Sequence, residues 1–234
     1  MSSDRVMVEN LEVMYSAANY RRWMYHRISP YIGQRILEVG AGIGNFTSMI
    51  LDRDLVVATD KYQACVDYLA ARHGDRLKVP PLRLNLSEPD GLPVDFEFDT
   101  VVCLNVLEHV EGDHDALVYM RTKLAPGGRL IVLVPAFQFL YGPIDRAIEH
   151  YRRYTRDELV TKMERAGFRV EQSCYMNAIG IVGWFIINRV LKMEGESEIQ
   201  VSWADRYVAP WAERLERVLP PPFGLSVIAV GRVD

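Results

Sequence analysis

The stretch Ile36-Leu-Glu-Val-Gly-Ala-Gly-Ile-Gly-Asn-Phe-Thr47 decides the fold of this 234-residue chain. A β-forming run over 35–39 stops at a glycine-rich turn, and a helix is predicted from about Asn45 to Leu51. A strand, a glycine turn and a helix in this order place Gly40 and Gly42 at the carboxyl edge of a sheet, where open α/β sheets bind ligands. Glycine is required there because a side chain would block close approach of the backbone to the ligand.

The rest of the chain alternates strand and helix patterns. Predicted strands cover 55–59, 82–86, 98–104, 129–134, 168–175 and 225–230, and predicted helices cover 16–29, 62–73, 113–124 and a segment that starts at the capping box Thr155-Arg-Asp-Glu158. This alternation predicts an α/β fold with a Rossmann-like, doubly wound, mostly parallel seven-stranded sheet and helices on both faces. The whole chain is predicted to be one domain, with an N-terminal helical cap (1–30), an acceptor loop (136–155) and an apolar, aromatic helical insertion (176–222) before the last strand.

The spacing of the glycines indicates which nucleotide binds. A dinucleotide site needs G-x-G-x-x-G, whereas here Asn45 stands where the third glycine belongs. Glu38 precedes the first glycine by two residues, and a carboxylate there suits the cationic end of a ligand and repels a pyrophosphate. Asp60 ends the next strand, where a carboxylate can accept both hydroxyls of a ribose; both nucleotide classes share this acid, so it does not discriminate between them.

Several motifs in this order resemble those of class I S-adenosylmethionine-dependent methyltransferases, of the type-11 and type-23 kind. They are E-V-G-A-G-I-G-N at 38–45, Asp60, Asn85-Leu86, F-D-T-V-V-C-L-N-V-L-E-H at 98–109, L-A-P-G-G at 124–128 and Met163-Glu-Arg-Ala-Gly-Phe168, which has Met163 in place of the family's leucine. The family usually contacts adenine through an aspartate at the position of Asn85, whose amide oxygen can make the same bond. The resemblance implies S-adenosylmethionine as cofactor and S-adenosylhomocysteine as product.

The cofactor site that this resemblance implies runs along the first four strands. Its residues are Tyr20, Glu38, Gly40, Ala41, Gly42, Asn45, Phe46, Asp60, Lys61, Asn85, Leu86, Asn105 and Val106.

The resemblance places His109 near the transferable methyl group, where it acts as a base or orients the acceptor; the alternative is that it packs under the cofactor. Ubiquinone-type O-methyltransferases are similar here but carry a glutamate at the position of Asn105, and their acidic cluster can hold a divalent ion. Because this chain has Asn105, we expect no metal.

The segment from Pro135 to Tyr154 lies where acceptor-binding elements sit on this fold. Its aromatic and polar side chains can wall and orient an acceptor. The predicted catalytic residues are His109, His150 and Tyr141, and the predicted substrate-binding residues are Phe137, Phe139, Asp145, Tyr151, Arg152 and Trp184. For Arg152 the alternative is a solvated arginine at a helix entry.

Two further segments leave alternatives open. The N-terminal helix, with Tyr15 and Tyr20, either closes over the donor or packs on the sheet. The insertion, with Trp203 and Trp211, either covers the acceptor pocket or is an ordinary core or dimer-contact helix. A role at a membrane surface would be opposed by Glu194, Glu196 and Glu198, which anionic lipid would repel.

Composition limits the partners. The net charge of −4 and the absence of a basic stripe predict no nucleic-acid partner, and a small-molecule or lipid-like acceptor is expected. Three scattered cysteines and the lack of a signal sequence predict a cytoplasmic protein without a transmembrane segment, whose oligomeric state stays open.

The predicted reaction is methyl transfer to an oxygen or nitrogen nucleophile. The alternatives are an NAD-dependent reductase or epimerase, opposed by Glu38 and the glycine spacing, and a methyltransferase-like binding protein without turnover.

Overall fold

The computed structural model describes residues 17–88, 92, 96–186 and 198–234, with side chains for all of these except 198–201. Tyr15, Glu194 and Glu196 lie outside these ranges, as do residues 1–16 of the predicted cap and 187–197 of the predicted insertion. The helices are α1 (Ala18–Ile28), α2 (Gln63–His73), α3 (Asp113–Arg121), α4 (Pro143–Ala147), α5 (Arg156–Arg165), α6 (Gly180–Phe185), α7 (Glu198–Tyr207) and α8 (Ala209–Val218). The strands are β1 (Arg35–Val39), β2 (Leu55–Asp60), β3 (Leu82–Arg83), β4 (Phe98–Leu104), β5 (Leu124–Pro135), β6 (Arg169–Met176) and β7 (Ser226–Arg232).

The strands form one seven-stranded sheet in the order β3-β2-β1-β4-β5-β7-β6. The first five strands are parallel, and β7 runs antiparallel between β5 and β6. The predicted doubly wound, mostly parallel α/β fold is therefore confirmed. The strand order reverses between β1 and β4, and ligands of open α/β sheets bind at such a switch point.

Alternate residues of the central strands pack into a core on each face of the sheet. On one face, Leu37, Val101 and Val132 pack in the same cluster as Leu117 of α3 and Leu159 of α5. On the other face, the sheet residues pack against α1 and α8. The central strands are buried on both faces, as their nearly continuous apolar sequence predicts.

The N-terminal helix packs on the sheet. Trp23, Met24 and Ile28 of α1 are buried in one cluster with Ile36 and Val56 of the first two strands. Of the two alternatives for this helix, the structure shows packing on the sheet.

Two predicted elements differ in the structure. The helix predicted at about 45–51 is wrong, because only Thr47–Met49 form a single 3-10 turn. Gly44 has a positive φ of 85°, and Asn, Phe, Thr and Ser, which follow it, are weak helix formers. The strand predicted at 82–86 is shortened to Leu82–Arg83 at the edge of the sheet, where β2 is its one partner among the described strands.

None of the described helices has both the length and the apolar character that a bilayer crossing requires.

Candidate active site

The turn after β1 has backbone conformations that only glycine adopts freely. Gly40, Gly42 and Gly44 have φ values of 71°, 55° and 85°. A Cβ added to Gly40 would overlap the Val106 side chain, and one added to Gly44 would meet His73 at 2.7 Å. The turn therefore packs tightly against Val106, which follows β4, and against His73 of α2.

Two buried carboxyl groups face this turn. Glu38, on β1, accepts a hydrogen bond of 2.7 Å from the Thr47 hydroxyl. Asp60, at the end of β2, accepts hydrogen bonds from the backbone N–H groups of Gly42 (2.8 Å) and Tyr62 (2.9 Å). Burial raises the pKa of Glu38 to about 8 and also raises that of Asp60. A cation placed beside them would restore their ionised form, so the pair favours a positively charged ligand.

The Glu38 carboxyl predicts a pH-dependent stability. Its pKa of about 8 in the folded protein lies above the ordinary glutamate value of 4.5, so the folded state holds one more proton than the unfolded state between these pH values. The free energy of unfolding therefore falls as pH rises, by up to about 1.4 kcal/mol per pH unit from this group. We expect Glu38→Gln, whose amide oxygen still accepts from Thr47, to reduce the slope seen in urea unfolding between about pH 6 and pH 8 and to leave the part that comes from Glu108, whose pKa is also about 8.

The exposed Glu97 gives the control for this experiment, since Glu97→Gln changes the same charge outside the site. If plots of the free energy of unfolding against pH were parallel for wild type and Glu38→Gln, the raised pKa assigned to Glu38 would be wrong.

A cavity of about 490 Å³ opens at the carboxyl edge of the sheet, next to Lys61, which follows Asp60. It is lined by Lys61, Asn85, Ser87, His109, Glu149, His150 and Tyr151. Lys61 follows β2, Asn85 follows β3 and His109 follows β4, whereas the last three residues belong to the predicted acceptor loop. The cavity thus lies between the carboxyl edge of the sheet and the acceptor loop, where a donor and an acceptor can meet.

His150 is held in this cavity by a buried carboxylate. Its Nδ1 lies 2.9 Å from Oδ1 of Asp145, which also accepts a 2.8 Å bond from Nε of Arg153. The second oxygen of Asp145 accepts from the Gly142 N–H at 2.9 Å. Burial alone would raise the pKa of Asp145, but the bonds from His150 and Arg153 hold it below its usual value. An ionised Asp145 keeps the proton of His150 on Nδ1 and leaves Nε2 as the basic nitrogen.

Glu108 lies under the two histidines. It is fully buried, and neither carboxyl oxygen has a hydrogen-bond partner; Oε1 lies 3.8 Å from Nε2 of His150. Burial raises the pKa of Glu108 to about 8. Burial also lowers the pKa of His109 to about 3, and the nearby charges of His150 and Lys61 add to this effect. One ligand atom from each of Glu108, His109 and His150 lies within 4.8 Å of the others, so these residues could hold a cation.

That the protein binds no metal stays a prediction. The prediction was based on Asn105, which stands where related enzymes have a glutamate. The structure instead brings together Glu108, His109 and His150, although His150 lies 41 residues after His109 in the chain. In the sequence, Glu108 is marked only as a member of the motif at 98–109. The signal that marks it is burial of a carboxyl group without a partner, which depends on the folded structure.

The carboxyl edge also carries strained backbone. Asn105, Phe137 and Asn177 follow β4, β5 and β6, and all three have φ between 54° and 63°. Glu149, in the cavity wall, has the same conformation with φ of 62°. Non-glycine residues in this conformation cluster at functional sites, so the strain marks the same edge independently of the side-chain chemistry.

The remaining residues of the predicted cofactor site lie on or near the same edge. Ala41 and Phe46 are buried in the turn, Leu86 is buried after β3, Asn45 is half-buried and Asn105 is exposed. Tyr20 lies on α1, with its hydroxyl 3.4 Å from that of Ser226, which pairs with Pro135 at the carboxyl end of β5.

The predicted acceptor residues divide into cavity-lining and supporting groups. Tyr151 lines the cavity. Tyr141 donates to the His150 carbonyl at 2.6 Å, Phe137 stacks on Tyr175, Phe139 is exposed, and Arg152 pairs with Asp113 at 2.9 Å. These contacts give Tyr141 and Arg152 a supporting place in the loop.

Only one of the three insertion tryptophans touches the acceptor loop. Trp184 donates from Nε1 to the Leu140 carbonyl at 3.2 Å, and the Arg153 guanidinium lies 4.5 Å from its ring centroid. Trp203 and Trp211 are exposed on α7 and α8. The predicted cover over the acceptor pocket is therefore wrong for these two side chains, because their helices turn them to solvent.

Comparison with known proteins identifies the family. Residues 15–173 match the model of a methyltransferase domain. The chain is 34% identical over 117 residues to a tRNA U34 carboxymethyltransferase of Azotobacter vinelandii (47% of this chain, 36% of the relative). It is 28% identical over 159 residues to the mitochondrial ubiquinone biosynthesis O-methyltransferase of Schizosaccharomyces pombe (64% of this chain, 58% of the relative). The alignments thus span between about a third and three fifths of these relatives.

Solved structures share the fold. A chain in the complex between the Haloferax volcanii Trm112 methyltransferase activator and a methyltransferase superposes with a TM-score of 0.65 at 14% identity, covering 100% of this chain and 99% of that one. Other matched structures are S-adenosylmethionine-dependent methyltransferases. At such identities the likeness shows the fold alone.

The exclusion of nucleic acid as a partner is overturned by these relatives. It rested on net charge, yet a protein that shares this domain is a tRNA U34 carboxymethyltransferase. Net charge therefore does not decide the acceptor class. The matched family model, the sheet order and the glycine turn agree, and the chain belongs to the methyltransferase domain family, among the class I S-adenosylmethionine-dependent methyltransferases.

Proposed function

We propose that this protein transfers a methyl group from S-adenosylmethionine to a hydroxyl of an acceptor bound in the 490 Å³ cavity, with His150 as general base. The observation that carries the proposal is the Asp145–His150 pair, which presents a basic nitrogen at the carboxyl edge of the sheet. The protein is proposed to act in the cytoplasm, and its free cysteines suit a reducing compartment.

The residues of the first three strands fit the cofactor. Glu38 suits the ammonium of the methionine part, and Asp60, which accepts the Gly42 N–H of the glycine turn, suits the ribose hydroxyls. Asn85 lines the cavity at the position where the family contacts adenine. When bound, S-adenosylmethionine supplies an electrophilic methyl group whose departure from sulfur needs no acid.

The chain's own residues handle the proton. In transfer to a hydroxyl, Nε2 of His150 would take the proton that the acceptor oxygen loses as it bonds to the methyl carbon. The Asp145 carboxylate stabilises the imidazolium that results, and Arg153 keeps Asp145 ionised and oriented. Removal of water and alignment of the reactants supply the rest of the acceleration.

We propose a small-molecule or lipid-linked acceptor. The cavity of about 490 Å³ is in the size range of small-ligand sites, and because Lys61 and Asn85 of the donor site line it too, an acceptor shares it with part of the donor. The ubiquinone biosynthesis relative supports this class, and the tRNA relative supports an acceptor of which one nucleoside enters the cavity. Tyr151, more than half exposed at the cavity wall, offers a surface on which either a ring or a base can stack.

The acceptor class can be tested with methyl-labelled S-adenosylmethionine added to an extract of the source organism. The extract is separated into a fraction that passes a small-pore filter, a lipid fraction and an RNA fraction. We expect label in the filtrate or the lipid fraction, lost with His150→Ala. Label confined to RNA would overturn the proposed acceptor, whereas label in no fraction would favour the binding protein without turnover.

A further inference from the structure

The outer face of α7 and α8 carries a row of exposed apolar side chains. Trp203, Tyr207, Trp211 and Leu215 follow one another at intervals of four residues, and Val218 and Leu219 continue the row. Each of these six side chains is more than half exposed. Large exposed apolar patches on soluble domains mark interaction sites, so this row needs a partner.

The two helices present this row on one continuous surface. Val208, between them, donates to the Ala204 carbonyl at 2.9 Å, and Ala212 donates to the Val208 carbonyl at 3.0 Å. These bonds carry the helical turn across the junction, so the four-residue spacing stays on one side. The rings of Trp203 and Tyr207 lie 5.7 Å apart, which shows that neighbours in the row touch.

The charges of these helices are sorted between the two sides. Residues 202–219 contain three acids, and all three are turned toward the body of the protein. Asp205 accepts from the backbone N–H groups of Asn19 (3.0 Å) and Tyr20 (2.7 Å) at the start of α1. Glu216 accepts from the N–H of Ala178 at 2.8 Å, and Glu213 lies 2.8 Å from His26.

The three basic residues of the same segment are exposed. They are Arg206, Arg214 and Arg217. The Arg206 guanidinium lies 5.6 Å from the Tyr207 ring centroid, and that of Arg214 lies 5.4 Å from the ring centroid of Trp211. Arg217 pairs with Glu213 at 2.9 Å, so Arg206 and Arg214 supply the positive charge beside the apolar row.

We propose that the outer face of α7 and α8 docks on an anionic lipid bilayer. Tryptophan, tyrosine and arginine beside aliphatic side chains suit the interface between headgroups and acyl chains, where rings and chains enter and guanidinium groups meet phosphate. RNA would also suit arginines and aromatic rings, but it gains little from exposed Leu215, Val218 and Leu219. Glu194, Glu196 and Glu198 were expected from the sequence to repel anionic lipid. The structure does not describe their side chains. The inference does not depend on the proposed acceptor.

The test uses the full chain and vesicles of phosphatidylcholine, with or without about 30% phosphatidylglycerol. We expect the protein to float with the phosphatidylglycerol vesicles only, and to be released by high salt. Arg206→Gln combined with Arg214→Gln should weaken binding by about tenfold or more, and so should Trp211→Ser combined with Leu215→Ser. The exposed Arg76 and Arg165 provide the matched control as a double glutamine variant, which should bind as wild type does.

Three outcomes would overturn the proposal. The first is no binding to either kind of vesicle. The second is a dimer in light scattering that Trp211→Ser combined with Leu215→Ser converts to monomer, because a second copy would then cover the face. The third is binding of tRNA, without vesicle binding, that is lost with Arg206→Gln and Arg214→Gln. Circular dichroism checks that each variant is folded.

Discussion

Replacing Asp60 by alanine is expected to weaken the binding of S-adenosylhomocysteine by about 100-fold or more. Asp60 is 6% exposed and accepts hydrogen bonds from Gly42 and Tyr62, so it both offers oxygens to the ribose and holds the glycine turn. Hydrogen bonds to a charged group contribute about 1.5–3 kcal/mol each, and loss of two of them accounts for the effect. Isothermal titration calorimetry measures it directly.

Asp60→Asn and Asp67→Ala complete this experiment. Asp60→Asn keeps one acceptor oxygen, so we expect its affinity for S-adenosylhomocysteine to lie between those of wild type and Asp60→Ala. This second variant keeps the test valid if Asp60→Ala fails to fold. Asp67 is exposed on α2 and its removal should leave affinity unchanged. Affinity of Asp60→Ala within about threefold of wild type, or binding of NADH in place of S-adenosylhomocysteine, would contradict the site.

Replacing His150 by alanine is expected to lower kcat by about 100-fold to 10,000-fold, while the affinity for S-adenosylhomocysteine stays the same. The loss falls on kcat because Nε2 of His150 takes the proton only as the new bond forms. Asp145→Asn should lower kcat as well, since the amide no longer fixes the proton on Nδ1 of His150. The rate of methyl transfer to the labelled acceptor measures both.

An exposed histidine provides the matched control. His114 lies on α3, and His114→Ala should retain full activity. An acceptor that is already ionised bypasses the base, so the His150→Ala rate should recover partly as pH rises toward the pKa of the acceptor hydroxyl. A loss in kcat of less than about threefold for His150→Ala would show that His150 packs against the acceptor without moving a proton.

The cofactor half of the site could be predicted because its signals are local. Glu38 and the glycines of the turn lie within seven residues, and Asp60 ends the next strand, so one β-turn-α unit and its neighbour bring them together. The prediction of a helix at 45–51 was wrong for a local reason as well, since Gly44, just before it, has a positive φ. The acceptor half depends on contacts between distant segments, and sequence patterns gave only candidate residues there.

The sequence by itself determined the doubly wound sheet with its buried central strands and the class of cofactor. These follow from hydrophobic periodicity and from turns that only glycine permits, both of which act over a few neighbouring residues. Only the tertiary structure decided which carboxyl groups are buried, which histidine forms a hydrogen bond with Asp145, and which side of α7 and α8 faces solvent. Burial, pKa and electrostatic pairing depend on residues that are far apart in the chain and adjacent only after folding.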